Sequence, residues 1–137
     1  MDFYALDTGF SEGIVREYNE RWSTSVLRDA VLGGRQVLLC AKDGEKIAGL
    51  TLGGVPEAGV ATIVWLLVGG DYRGKGVGSD LFSVACGRYR SLGCHKIKLT
   101  TNSERAIKFY QKMGMAIEGV HPDHWWRINF WSLGMLL

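Results

Sequence analysis

The strongest chemical signal in the chain is the run Arg73-Gly74-Lys75-Gly76-Val77-Gly78-Ser79. Its three alternate glycines lack Cβ atoms, so the backbone can turn tightly and a ligand can approach the main chain. Apolar residues then recur at helical spacing: Val77, Leu81, Val84, Ala85, Tyr89 and Leu92. The first amides of a helix have no internal partner and point outward, with the positive end of the helix dipole behind them. Arg73 and Lys75 add charge, and Ser79 adds a hydroxyl. Together these features make a site for a phosphate or pyrophosphate. Glycine-rich strand-to-helix turns also occur without ligands, but three glycines flanked by Arg and Lys favour the anion.

Two common phosphate sites fit poorly. Gly69-x-x-x-x-Gly74-Lys75 nearly spells a P-loop, yet Gly76 stands where Ser or Thr should hold magnesium. Gly74-x-Gly76-x-Gly78 misses the last spacing of the dinucleotide fingerprint, and no acidic ribose binder ends the next strand.

Several elements must position this loop. Before it, Val60–Val68 is the most hydrophobic stretch and apolar on both faces, which predicts a central strand covered on both sides. After it come the helix ended by Gly93, a strand over 95–100 with Ile97 and Leu99 on one face, and a helix over 104–113. That helix has Ala106, Phe109, Tyr110 and Met113 on one stripe and Gly114 at its end. Upstream, 36–42 and 46–52 form a hairpin turned at Asp43-Gly44. A first strand is expected at 3–6. A helix capped by Ser11 carries Ile14, Val15 and Tyr18, and another near 25–32 carries Val26, Ala30 and Val31. Two strands, 115–120 and 127–136, close the chain. The order predicts an α/β (α+β) sandwich with a mixed sheet.

The 137 residues make one domain, 1–137, able to bury a core unaided. Hydrophobic content of 47% and charged content of 22% exclude a disordered chain. No apolar run approaches the ~20 residues of a membrane span, so no membrane partner is expected. No signal peptide is expected either. Cys40, Cys86 and Cys94 lack metal-type pairing, which predicts buried thiols, no metal, and a cytoplasmic setting. A net charge of +2 is too small to imply nucleic acid, but it suits a small anion.

These residues resemble the GNAT acetyltransferases. The family signature Gln/Arg-x-x-Gly-x-Gly/Ala stands here as Arg73-Gly74-Lys75-Gly76-Val77-Gly78, after Leu66-Leu67-Val68 and before Leu81. A second block, Asn-x-x-Ala-x-x-Phe/Leu-Tyr-x-x-x-Gly, is matched from Ala106 onward by Ala106-Ile107-Lys108-Phe109-Tyr110-Gln111-Lys112-Met113-Gly114. The resemblance covers nearly the whole chain. It implies a single GNAT-type domain with a mixed sheet of about six to seven strands, a splayed central pair and helices on both faces. It also implies acetyl-CoA as co-substrate and transfer to a primary amine of a small molecule or peptide by direct attack.

Carried onto this sequence, the family's roles fall as follows. The strand after Thr62 would splay from the strand after His95. The main chain of Leu66, Leu67 and Val68 would pair with the pantetheine arm, and the Val68 amide would polarise the thioester carbonyl. Arg73 and the amides of Gly74, Lys75, Gly76, Val77, Gly78 and Ser79 would hold the pyrophosphate. Tyr110 would protonate the leaving thiolate, a role suited to a phenol that stays protonated at neutral pH. Tyr110 also lies on the apolar stripe, where packing alone would account for it.

Two departures stand out. The second block should open with Asn at Ser103, and the Asn here is Asn102. Either residue would contact pantetheine, or the stretch only caps the helix, Thr101-x-x-Glu104 being a capping box. Family members often place a Glu early in the central strand or on the next, where this chain has Thr62 and Lys98.

The acceptor must lose a proton before it attacks. His121, Asp123 and His124, in the linker between the last strands, are candidates to take it, or are ordinary surface turn residues. Trp22, Trp125 and Trp126 would attract a cation with their faces, or pack. Arg105, Lys108 and Lys112 would meet the adenosine 3′-phosphate, or form a solvated helix face. The apolar stretch 130–137 predicts a covered strand, and a homodimer is one way to cover it. Two other functions compete: a non-catalytic acyl-CoA-binding module, motivated by the missing acidic base, and a nucleotide-phosphate hydrolase, motivated by the near P-loop.

Overall fold

A computed structural model of the chain describes residues 2–6 and 37–137. The helices expected near 11–18 and 25–32, and Trp22, lie outside the described residues. The strands are β1 (Asp2–Leu6), β2 (Val37–Asp43), β3 (Lys46–Gly53), β4 (Val60–Val68), β5 (Lys96–Thr101), β6 (Ala116–His121) and β7 (Phe130–Leu136). The described helices are α1 (Val77–Ser91) and α2 (Glu104–Lys112). Seven strands form one sheet in the order β1-β2-β3-β4-β5-β7-β6. Among the described strands only β4 and β5 pair in parallel, because α1 carries the chain back over the sheet between them. The result is the mixed α+β sheet that the element order predicts.

Both described helices pack on the same face. Ala61 and Ile63 of β4, Ile97 and Leu99 of β5 and Leu133 of β7 form one buried cluster with Leu81, Phe82, Ala85 and Tyr89 of α1 and Tyr110 of α2. The buried stripe of α1 includes Phe82 and Cys86, while Val84 and Leu92, expected on it, are exposed. The α2 face brings the Tyr110 ring to 5.7 Å from Phe82, and this contact turns the α1 stripe toward Phe82. On the opposite face, Cys40, Ile47, Leu50 and Leu52 are buried too, so the β2–β3 half of the sheet is covered on both sides.

The apolar C-terminal segment is explained within the chain. β7 is an interior strand between β5 and β6, with Phe130, Leu133 and Gly134 buried and Leu136 exposed. Residues 127–129, expected in that strand, belong instead to the preceding turn. There Trp125–Arg127 make a short 3₁₀ turn, and Asp123, Trp126 and Arg127 have φ of 49°, 54° and 63°.

The sheet opens at its centre. β4 pairs with β5 only through Val60–Lys96, Ala61–Ile97 and Thr62–Lys98, after which the two strands part. On its other edge β4 stays paired, but Leu52 faces Trp65 while Gly53 faces Ile63. Val64 is thus an extra residue, a β-bulge, and bulges bend the strand that carries them. The bulge falls two residues past the last β4–β5 rung and accounts for the splay. It also corrects the expectation of a strand buried on both faces, since Val64 is 51% exposed.

Candidate active site

The splay leaves main-chain groups on β4 without a strand partner. Gly69 N–H donates to the Ala48 carbonyl, which fixes the alternation of the antiparallel β3–β4 ladder. In that alternation Leu67 exchanges hydrogen bonds with Leu50, while the N–H and C=O groups of Leu66 and Val68 point away from β3. They face the gap where β5 has left. An extended chain laid there would pair with Leu66 and Val68, as a strand would. Leu67 lines the gap, but its polar backbone groups are turned to β3.

The upper end of the gap is the glycine loop. Gly74 and Gly76 have φ of 74° and 82°, the left-handed region where a Cβ is strained. Gly76 is the residue before α1, and no side chain caps the helix. The amides of Val77, Gly78 and Ser79 therefore keep the free donors of a helix start, while Asp80 N–H already bonds the Gly76 carbonyl at 3.0 Å. A Cβ at Gly74 or Gly76 would meet nothing within 4 Å, so the glycines answer the backbone turn and the space above them is open.

Loop and gap join into one cleft of about 560 Å³. Leu66, Leu67 and Val68 line one wall. Arg73, Gly74, Gly76, Val77, Gly78 and Ser79 line the loop end. Ser103, Arg105, Ala106, Phe109 and Tyr110, on or just before α2, form the other wall. Tyr110 is 7% exposed, with Phe109 edge-on at 5.0 Å. Burial pushes its phenol up to about 12, so the hydroxyl holds its proton throughout the neutral range.

Most of the predicted site residues come together here, and two do not. Lys75 lies outside the cleft lining, with its ammonium 5.9 Å above the Tyr72 ring. Asn102 is exposed and also outside it. Ser103 takes the place that the block pattern gives to Asn. Its Oγ accepts from Ala106 N–H at 3.2 Å, so it caps α2 while lining the cleft. Thr101 Oγ1 accepts from Ser103 N–H at 3.1 Å and sets that cap. Of the three basic residues of α2, Arg105 reaches the cleft, while Lys108 and Lys112 are exposed outside it. Tyr72 also lines the cleft, as does Phe109, which the sequence placed on the apolar stripe of the helix without a role in the site. Tyr72 also donates to Asp43 at 3.0 Å, tying the loop to the β2–β3 hairpin.

The model of the acetyltransferase (GNAT) family matches residues 3–115. The chain belongs to the GNAT family of acetyltransferases. That membership makes it an N-acetyltransferase by class and sets aside the nucleotide-hydrolase reading. Solved GNAT structures share its fold. A GNAT acetyltransferase from Elizabethkingia anophelis with acetyl-CoA bound has a TM-score of 0.82 at 17% identity, covering 99% of this chain and 97% of its own. An aminoglycoside 6'-N-acetyltransferase complexed with coenzyme A has a TM-score of 0.81 at 18% identity over the same shares. The ribosomal-protein-S18-alanine N-acetyltransferase from Escherichia coli has a TM-score of 0.80 at 17% identity, covering 98% of this chain and 92% of its own. No curated protein matches the sequence.

At the positions where family members carry a Glu, Thr62 and Lys98 face each other on the last β4–β5 rung. Among the described residues, no carboxylate lines the cleft. Asp123, one of the turn candidates, is exposed and ion-paired to Arg127 at 3.2 Å. His121 and His124 are half-buried, with ring centroids 4.9 Å apart.

Proposed function

We propose that the protein transfers the acetyl group of acetyl-CoA to a primary amine by direct attack. The reading is carried by one observation: the main chain of Leu66 and Val68, without a strand partner on the gap side and with Arg73 Nε donating to the Val68 carbonyl at 3.5 Å, runs into the left-handed glycine loop and the start of α1. An extended arm ending in a pyrophosphate fits that path. The aromatic wall of Phe109 and Tyr110 suits a thioester.

Acetyl-CoA, when bound, supplies the activated acyl group; the rest is done by the chain. The amides of Val77, Gly78 and Ser79 bind the pyrophosphate, with Arg73 adding charge. Leu66 and Val68 orient the arm, and a cleft-facing N–H of β4 stabilises negative charge on the carbonyl oxygen. Tyr110 holds a proton for the departing sulfur. Ser103, rather than Asn102, offers a hydroxyl to the arm. Arg105 stands where it can meet the nucleotide end of the coenzyme.

The acceptor class is a primary amine, and related folds act on both an aminoglycoside and a protein alanine terminus. The buried thiols of Cys40, Cys86 and Cys94 suit the cytoplasm as its setting. The test is thiol release from acetyl-CoA against kanamycin, spermidine and an alanine-terminal peptide. Release that depends on one of these amines is expected. Tight acetyl-CoA binding without release from any amine would instead favour a non-catalytic acyl-CoA-binding module, the reading that the non-acidic Thr62 and Lys98 support.

A further inference from the structure

The face of the sheet opposite α1 and α2 carries a polar row that ends at the splay. Cα partners in antiparallel strands share a face. Thr100 of β5 pairs with Ser132 of β7, and Phe130 of β7 pairs with His121 of β6. These residues alternate with Leu99, Leu133 and Trp131, which face the helices, so Thr100, Ser132 and His121 share the other side. His121 Nε2 lies 2.6 Å from Ser132 Oγ, in a half-buried contact. Thr100 is two residues beyond Lys98, the last residue of β5 still paired with β4, and across the gap from it is the exposed Val64 bulge. The row therefore starts at the floor of the slot and ends on an imidazole.

The coenzyme cleft is walled by α1 and α2, so an amine reaches a thioester in the slot from the opposite side, where this row lies. We infer that the Ser132–His121 pair accepts the proton of the incoming ammonium; the inference rests on the N-acetyl-transfer reading. The ammonium gives a proton to Ser132 Oγ as Ser132 gives its own to His121 Nε2, which requires the Nδ1-protonated tautomer of His121. The amine nitrogen then forms a bond to the carbonyl carbon and the C–S bond breaks. Sulfur takes the Tyr110 proton, and the surplus nitrogen proton returns to the Tyr110 phenolate. The net proton rests on His121 and leaves to solvent past His124.

Among the described residues, the charged and titratable groups around His121 leave this role to it. His124 approaches from the turn. Glu118, on the same strand, is paired to Lys96 of β5 at 2.9 Å. Asp123 is paired to Arg127. Lys98 is exposed on β5. Both carboxylates are therefore held by cations, and neither bonds the imidazole.

The test follows thiol release over about pH 6 to 10, the range in which an imidazole and an amine titrate, for the wild type, His121→Gln and Ser132→Ala. The probes are kanamycin, spermidine and an alanine-terminal peptide. Near neutral pH each variant should lose roughly 100-fold in kcat/KM. The deficit should shrink at high pH, where the amine arrives unprotonated. Acetyl-CoA affinity should stay unchanged, and added imidazole should restore His121→Ala in proportion to its concentration. Variants that follow the wild-type profile would overturn the inference, as would a uniform loss at every pH that imidazole does not rescue. A wild type that binds acetyl-CoA but releases no thiol from any probe would overturn the transfer reading, and the relay with it.

Discussion

Tyr110→Phe removes one oxygen from the cleft and leaves almost everything else in place. The ring keeps its contacts with Phe82 at 5.7 Å and Phe109 at 5.0 Å, so folding should be little affected. The backbone groups of Leu66 and Val68 and the α1 amides are untouched, so acetyl-CoA affinity should change by less than about twofold, under 0.5 kcal/mol. Turnover is another matter. A positioned general acid contributes roughly 10²- to 10⁴-fold, and the lower end suits a thiolate, which is already a fair leaving group. Burial holds the phenol up to about 12. At pH 9 about 0.1% of it is ionised, against about 10% for a phenol at its ordinary value of about 10. Wild-type turnover should therefore show no alkaline limb below about pH 11 that Tyr110→Phe abolishes. The assay is steady-state thiol release with a saturating amine, beside calorimetry with acetyl-CoA. Turnover of Tyr110→Phe within threefold of wild type (an order-of-magnitude margin below the ~100-fold expected) would remove the phenol from the mechanism. A wild-type limb near pH 10 belonging to Tyr110 would contradict its buried, protonated state.

Other perturbations separate folding from binding. Gly76→Ala forces a Cβ into φ 82° with nothing to clash against, so its cost is the left-handed strain alone, about 1–2 kcal/mol, or a Tm lower by roughly 3–10 °C. If the loop relaxes instead, thermal denaturation shows no loss and acetyl-CoA affinity drops about 5- to 30-fold; an unchanged Tm together with unchanged affinity would refute the loop's role. Ser103→Ala removes the α2 cap and should cost about 1 kcal/mol, while the exposed Asn102→Ala should be near neutral by denaturant titration; the reverse ranking would refute the capping assignment. Two of the five tyrosines, Tyr89 and Tyr110, are raised from an ordinary 10 to about 12, chiefly by burial. Because the unfolded chain ionises them first, the stability they protect is present below about pH 10 and is lost toward pH 12, on the order of 3 kcal/mol at most for each. Ultraviolet titration should show them ionising late and with unfolding, and early reversible ionisation of all five would contradict their burial.

The parts of the fold that local chemistry dictates were legible in the sequence. The glycine loop was readable because left-handed backbone needs Gly74 and Gly76, and the strand and helix around it because their apolar residues repeat at period 2 and 3.6. Tyr110 was readable from its place in a block. What failed were the features set between strands. Val64 looks like any buried β-branched residue, and nothing along the chain marks it as a bulge; only the pairing of Leu52 and Gly53 across from it does. Lys75 brings charge to the loop, and the position of its ammonium over Tyr72 is not marked along the chain. The Ser103 cap on α2 rests on a single hydrogen bond from Ala106 N–H, which the order of Thr101, Asn102 and Ser103 does not single out. The His121–Ser132 contact was hidden for the same reason, since its residues are eleven apart in sequence and meet only through the register of β6 and β7.

The central claim is that the cleft between β4, the glycine loop and α2 is a coenzyme A site serving acetyl transfer. Calorimetric titration of the protein with acetyl-CoA and, separately, with magnesium-ATP tests it most directly. Saturable binding of one acetyl-CoA per chain is expected, with no binding of magnesium-ATP. Binding of magnesium-ATP without acetyl-CoA would contradict it.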